Sequence, residues 1–383
     1  KGGMINMKAV ISPDSYKGSL TSKQVCDAIA EGLKRAGGFD IDKIPIADGG
    51  EGTVEAFITA VGGEVVHTSV KGPLGVTQDS FYGILKDGRC VVEMAAASGL
   101  NMVPEGKRNP LVTTTYGTGE IIRDAIKRGC RDFIIGIGGS ASNDCGAGML
   151  QALGAKVLDK NGDEIGRGGG QLDRVCSLDL SHLNKMIAGC HFTIASDVDN
   201  PLCGENGASA VYGPQKGASK HMIEVLDSNL CHFADVTAET IGKDWRDYPG
   251  AGAAGGLGFA FKVFLNADIK SGIDVVVQAT QLEDVIKDSD IVFTGEGNTD
   301  FQTVMFGKAP AGITKLAKKY GKPAVIISGG LGRGYKELYD IGATALFSIA
   351  DRPMSLKEAM DGGYDLLRDR AEDIGRLIKS NRK

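Results

Sequence analysis

Nowhere in this chain do two cysteines stand three residues apart. Its eight cysteines, at 26, 90, 130, 145, 176, 190, 203 and 231, form no Cys-x-x-Cys pair. A zinc site built on such a pair is excluded, and a disulfide framework has no support in a chain this long. The thiols read as small buried hydrophobes. Tryptophan occurs once, at Trp245, and reads as packing. The five histidines (67, 182, 191, 221 and 232) fall outside the glycine-rich loops, so histidine-based catalysis or a His-rich metal site is not expected. No Lys/Arg-rich block exists and the net charge is −5, which argues against nucleic acid as the main partner. No apolar run approaches the ~18 residues of a membrane span. The apolar stretch at 9–11 is too short for a secretory h-region, and a cytoplasmic location is expected. There is no Walker A motif, which excludes a P-loop nucleotide site.

Glycine, by contrast, is abundant: 56 of 383 residues, about twice the usual ~7%. The glycines cluster between apolar runs, where they let backbone approach a ligand closely or turn with positive φ. Many such loops suggest a large polyanionic ligand.

The length suggests two domains. The N-terminal part reads as a strand at 8–12, a helix at 21–35 opened by the capping box Thr21-x-x-Gln24, a strand at 41–46 and a helix at 53–61. In the middle, 78–95 alternates around Asp87-Gly88 as a hairpin. Buried strands are expected at 132–137 and 192–197, with a helix near 120–127 and a small-residue loop at 249–258 leading into another. The C-terminal third returns to strand–helix alternation, with strands at 290–294, 324–328 and 343–349, a helix through 313–319 and a long closing helix. This rhythm implies parallel sheet. We expect an α/β protein of two α/β domains. One is a doubly wound, Rossmann- or flavodoxin-like domain built from 1–70 and 281–383; the other is a mixed α/β insert at 71–280.

The most distinctive loop is GIGGSASNDCGAGMLQALGA, 136–155. Gly138, Gly139 and Ser140 offer backbone N–H groups, and Ser142, Asn143 and Asp144 follow, with Asn143 and Asp144 as candidate caps of the next helix. A loop joined to a positive helix end would cradle phosphate. The same segment fits a dinucleotide fingerprint through Gly136, Gly138 and Ala141, with Asp159 downstream. In SDVDNPLCG, Asp197 and Asp199 end an apolar strand and suit either a magnesium ion held by both or one metal ligand beside one proton acceptor. In TGEGNTDFQT and the FGKAP after it, Glu296 suits a metal and Lys308 a phosphate. PDSYKGSLTS puts Ser15 and Lys17 before a helix, and IADGGEGT does the same for Asp48 and Glu51; Lys17 could neutralise a carboxylate or phosphate. RNPLVTTTYGTGE, which begins at Arg108, is rich in hydroxyls that would meet substrate or cap a helix.

Taken in order, PDSYKGSLT, ADGGEGT, EMAAASGL, RNPLVTTTYGTGE, GIGGSASNDCGAGMLQALG, SDVDNPLCG, GPQKGA, GAGAAGGLG and GEGNTDFQT resemble the type I glycerate kinase family over essentially the whole chain from Met7. The family pattern leads us to expect glycine where Cys145 stands. The resemblance implies phosphorylation of D-glycerate by ATP with magnesium, 2-phosphoglycerate as the product, and a site in the cleft between two domains. From the loops themselves we expect Asp197 and Lys17 to be catalytic. Ser15, Asp48, Glu51 and Arg108 then contact substrate, and Gly138, Gly139, Ser140, Ser142, Asn143, Asp144 and Lys308 contact nucleotide. Asp199 and Glu296 hold the metal. A monomer or homodimer is expected. A 3-kinase, an NAD-binding dehydrogenase and a non-catalytic organic-acid sensor are the competing readings.

Overall fold

The computed structural model describes residues 6–47, 49–305 and 307–380. The chain divides into two compact units. Residues up to 47, 55–62 and those from 272 onward form one; 49–54 and 63–271 form the other.

In the first unit five parallel strands line up in the order Ala345–Ser348, Ala324–Ser328, Ile291–Thr294, Met7–Ile11, Phe39–Lys43. From Met7–Ile11 the chain crosses to Phe39–Lys43 on one side, and the C-terminal strands continue on the other. The strand order therefore reverses beside Met7–Ile11, and the loops at the carboxyl ends of that strand and Ile291–Thr294 flank a topological switch point. The Ser22–Ala36 helix opens with the expected capping box, Gln24 N–H donating to Thr21 Oγ1 at 3.3 Å. It packs Val25, Ile29 and Leu33 into a core with Ile11, Phe293, Leu367 and Ile374.

That helix meets the closing helix, Gly363–Ser380, at backbone distance. A Cβ on Gly32 would lie 2.2 Å from the Arg368 carbonyl oxygen. Helix propensity favours alanine over glycine by about 1 kcal/mol, but overpacking costs about 1–3 kcal/mol, and a backbone oxygen cannot swing away. Gly32→Ala is therefore expected to lower the denaturant midpoint; an unchanged or higher midpoint would mean that the helix pair separates easily.

The second unit holds a mixed six-stranded sheet in the order Asp268–Lys270, His191–Ala195, Asp132–Gly136, Cys90–Glu93, Thr77–Leu85, Gly63–Lys71. The first four run parallel; the hairpin at Asp87-Gly88 reverses the direction, with Gly88 at φ +87. Gly63–Lys71 pairs with Thr77–Leu85 along its whole length. That pairing puts 63–70 in the second unit, whereas the Gly272–Thr280 helix belongs to the first. Phe133 and Phe192 stack at 5.0 Å on adjacent strands, within a core that includes Ile135, Ile194, Leu150, Phe233 and Phe259.

Candidate active site

Parallel strands send the loops after them to one sheet edge, so each unit gathers its polar loops at one place. In the first unit the Met7–Ile11 strand leads to Ser15 and Lys17, and Ile291–Thr294 leads to Glu296. Backbone bonds tie these loops together, Ser12 N–H to Phe293 O at 2.8 Å and Asp14 N–H to Gly295 O at 2.9 Å. Gly297 sits so close that a Cβ there would be 3.3 Å from the Lys17 nitrogen. Ser15 is half-buried and Lys17 exposed. Tyr16 between them is buried, and its hydroxyl donates to Ile327 O at 2.7 Å, anchoring the loop to the sheet.

Glu296 is only 7% exposed. Burial pushes its carboxyl up from the usual range; the Thr303 hydroxyl bond, the Lys308 ammonium and the Thr299 hydroxyl oppose that shift. Its Oε1 accepts from Thr303 Oγ1 at 2.5 Å and Thr299 Oγ1 at 3.2 Å. Lys308 immediately precedes the Ala309–Lys319 helix as its N-cap residue. Ser15, Lys17, Glu296 and Lys308 thus belong to one edge of one unit. Asp48 lies outside the described residues.

In the second unit Gly49 packs into the sheet edge. Its carbonyl accepts from Gly138 N–H at 3.0 Å. A Cβ on it would lie 2.5 Å from Ala195 O, and its φ is +83, so glycine is required there. This contact brings the Glu51 segment against the loops that follow Asp132–Gly136 and His191–Ala195. Glu51 is exposed and accepts from Asn101 Nδ2 at 3.2 Å. Asp197 and Asp199 are exposed just beyond the His191–Ala195 strand.

The 136–146 loop departs from expectation. The helix after it, Ala147–Ala152, is six residues long and starts at Gly146, with no side-chain cap. Asn143 does not cap it, whereas Asp144 meets its first turn, Oδ1 accepting from Gly146 N–H at 3.3 Å beside a backbone bond from Gly148. Asn143 Nδ2 donates to Ser209 Oγ at 3.0 Å. Asp144, fully buried, accepts from Thr115 N–H at 2.8 Å, Thr115 Oγ1 at 2.9 Å and Thr114 Oγ1 at 3.2 Å. Burial pushes its carboxyl up and these bonds hold it back. A helix of one and a half turns has little dipole to offer an anion, so any cradle here is made by the loop itself. Gly138 is half-buried and Gly139 exposed; Ser140, Ser142 and Asn143 are buried. The hydroxyl-rich 108–120 segment turns two of its threonines onto Asp144.

Four buried side-chain atoms among the described residues lack a hydrogen-bond partner: Arg108 Nε, Ser142 Oγ, Asn143 Oδ1 and Thr314 Oγ1. Three of them belong to the second unit and to residues that the sequence marks for binding. Buried polar groups are rarely left unpaired without a ligand or water to meet them.

The dinucleotide alternative fails on topology. Asp159 holds a turn, accepting from Asn161 N–H at 2.9 Å and Asp163 N–H at 3.1 Å, and pairs with Arg174 at 3.1 Å. The strand before it, Lys156–Leu158, pairs antiparallel with Ser177–Asp179 in a separate ribbon, where a dinucleotide fold needs a parallel neighbour of Asp132–Gly136.

As for a metal, Asp199 belongs to the second unit and Glu296 to the first. Among the described residues no three His, Cys, Asp or Glu side chains cluster. Magnesium is commonly held by one or two carboxylates, with substrate phosphate and water completing its shell, and both residues offer hard oxygen donors. Lys216 and Gly255, which pack on the Ser142 carbonyl, stand in GPQKGA and GAGAAGGLG, motifs to which the sequence assigned no individual role.

Two α/β units with glycine-rich loops at parallel strand ends, and buried polar atoms awaiting a partner, define a small-molecule enzyme. The chain matches the model of the glycerate kinase family over residues 9–379 and belongs to that family, a family of phosphotransferases. It is 48% identical over 375 residues to a glycerate kinase of Bacillus subtilis (strain 168), covering 97% of this chain and 98% of that one. With the Glycerate 2-kinase of Escherichia coli (strain K12) it shares 50% identity over 361 residues, 94% of each chain. A crystal structure from Salmonella typhimurium LT2 assigned to glycerate kinase 2 superposes with a TM-score of 0.89 at 44% identity, covering 98% of this chain and 99% of that one. Among the described residues no helix is long and apolar enough to cross a membrane.

Proposed function

We propose that the chain transfers the γ-phosphoryl group of ATP to the 2-hydroxyl of D-glycerate, giving 2-phosphoglycerate and ADP in the cytoplasm. The observation that carries this reading is the set of unpartnered buried atoms on Arg108, Ser142 and Asn143, within a chain of the glycerate kinase family. The name of the Escherichia coli relative supports the 2-hydroxyl.

Phosphoryl transfer is mainly positioning and charge neutralisation. In this reading the 138–144 loop, with Gly138, Gly139, Ser140, Ser142 and Asn143, meets the nucleotide phosphates, and Asp144 fixes the loop from below. Asp197 takes the proton of the glycerate hydroxyl as its oxygen bonds to the γ-phosphorus and the bond to the β-phosphate oxygen breaks. Lys17 and Lys308 neutralise the transferring charge. Ser15, Asp48, Glu51 and Arg108 hold the hydroxy acid. Asp199 and Glu296 would hold magnesium, which when bound offsets phosphate charge.

A coupled ADP-release assay with ATP, magnesium and D-glycerate, with the product identified by NMR, tests this. Glycerate-dependent turnover to 2-phosphoglycerate is expected. The 3-isomer would move the hydroxyl that Asp197 faces, and no turnover would overturn the reading.

A further inference from the structure

The Pro214–Lys216 turn carries none of the roles assigned above, yet it ends in a lysine that is 1% exposed. Lys216 Nζ donates to the Ser142 carbonyl oxygen at 2.6 Å. The next residue, Gly217, has φ +90, and a Cβ on it would lie 2.6 Å from the Arg108 carbonyl oxygen. One short turn therefore touches both segments of the second unit that carry unpartnered buried atoms. The Asp144 carboxylate lies close enough to favour the charged form of Lys216.

Filling this space does not require a charge. An apolar side chain of similar volume would avoid the desolvation that a buried ammonium suffers. What the lysine adds is a fixed Nζ–H donor to one loop carbonyl. That carbonyl belongs to Ser142, whose Oγ has no partner, and is next to Asn143. Rotating the Asn143 amide presents either Oδ1 or Nδ2 at the unpartnered position, with Ser209 Oγ satisfied either way.

We propose that Lys216 is a positioning residue for phosphoryl transfer: its Nζ pins the Ser142 carbonyl so that Ser142 and Asn143 are held ready for the nucleotide phosphates. This rests on reading 138–144 as the nucleotide loop.

The test compares ATP affinity by calorimetry, the two KM values and thermal midpoints for wild type, Lys216→Met and Lys216→Arg. The Met variant is expected to bind ATP at least tenfold more weakly, with KM for glycerate within about twofold of wild type. The Arg variant should recover part of the loss. Burial holds the Lys216 ammonium down to about 7, against 10.5 for an exposed lysine. Above that point the unfolded chain binds the extra proton, so wild-type stability rises with pH. Below pH 7 the Met variant should therefore be at least as stable as wild type, and wild type should gain on it between pH 7 and 8.5.

A folded Met variant with wild-type ATP affinity would overturn the proposal. If it does not fold, Lys216→Gln takes its place, and failure of both makes the residue structural and overturns it too. Wild type that binds ATP but leaves glycerate unchanged would sink the kinase reading alone, because the ATP comparison still stands.

Discussion

Asp197→Asn is expected to fold like wild type and to turn over about 10²- to 10⁴-fold more slowly, the usual range for a positioned acid or base. Asp197 follows His191–Ala195, whose neighbours on both sides run parallel to it. The strand end is therefore fixed laterally, and Gly49 presses on Ala195 at that same edge. The side chain itself is exposed, so its exchange for an amide of equal size should move the unfolding midpoint little. The amide cannot take a proton from the glycerate hydroxyl. The loss should fall on kcat, with KM for ATP nearly unchanged. Steady-state kinetics beside a thermal melt decide it. Full kcat in the folded variant would remove Asp197 as the base and hand the role to another carboxylate at these loops.

The parts legible in the sequence are those where one local signal dominates. Thr21 with Gln24, the run Val25, Ile29, Leu33, and Asp87-Gly88 each predict an element that forms where expected. The Lys220–Ile241 helix was less legible, because its buried face mixes Asn229 and Thr237 with Leu226, Leu230 and Phe233, which blurs the apolar period. Gly63–Lys71 alternates visibly, but its partner is fixed only by pairing with Thr77–Leu85. For the candidate site, strand ends followed by glycine and acid point to loops that lie at the carboxyl ends of parallel strands in each unit. What each side chain does inside its loop was not legible. Asn143 and Asp144 carry the composition of helix caps, yet Ser209 claims Asn143, and Asp144 divides its carboxylate between Gly146 N–H and the threonines at 114 and 115, distant in sequence. Lys216 stands within GPQKGA with no role of its own in the sequence, and only the fold reveals that it is buried.

Gly255→Ala is expected to damage stability and activity together, for a reason that lies in the backbone. Residues 254–256 run through three consecutive positive φ values, +53, +72 and +86. A Cβ on Gly255 would sit 2.2 Å from the Ser142 carbonyl oxygen and 2.7 Å from the Asn143 Cα. Alanine there takes on left-handed strain of about 1–2 kcal/mol and overpacking of about 1–3 kcal/mol, so a loss of about 3 kcal/mol is expected in denaturant unfolding. The clash is relieved most readily by moving the 142–143 segment, which also breaks the register of its carbonyl with Lys216. A displacement of about 1 Å in a group that orients the reactants costs about 10²-fold in rate. Ala254→Gly, one residue earlier, supplies the control: it removes the non-glycine strain at φ +53 without adding atoms, and should retain wild-type turnover with equal or higher stability. If Gly255→Ala keeps both its unfolding midpoint and its kcat/KM, the 142–143 segment has room to yield, and neither Gly255 nor the carbonyl it supports sets the geometry of the 138–144 loop.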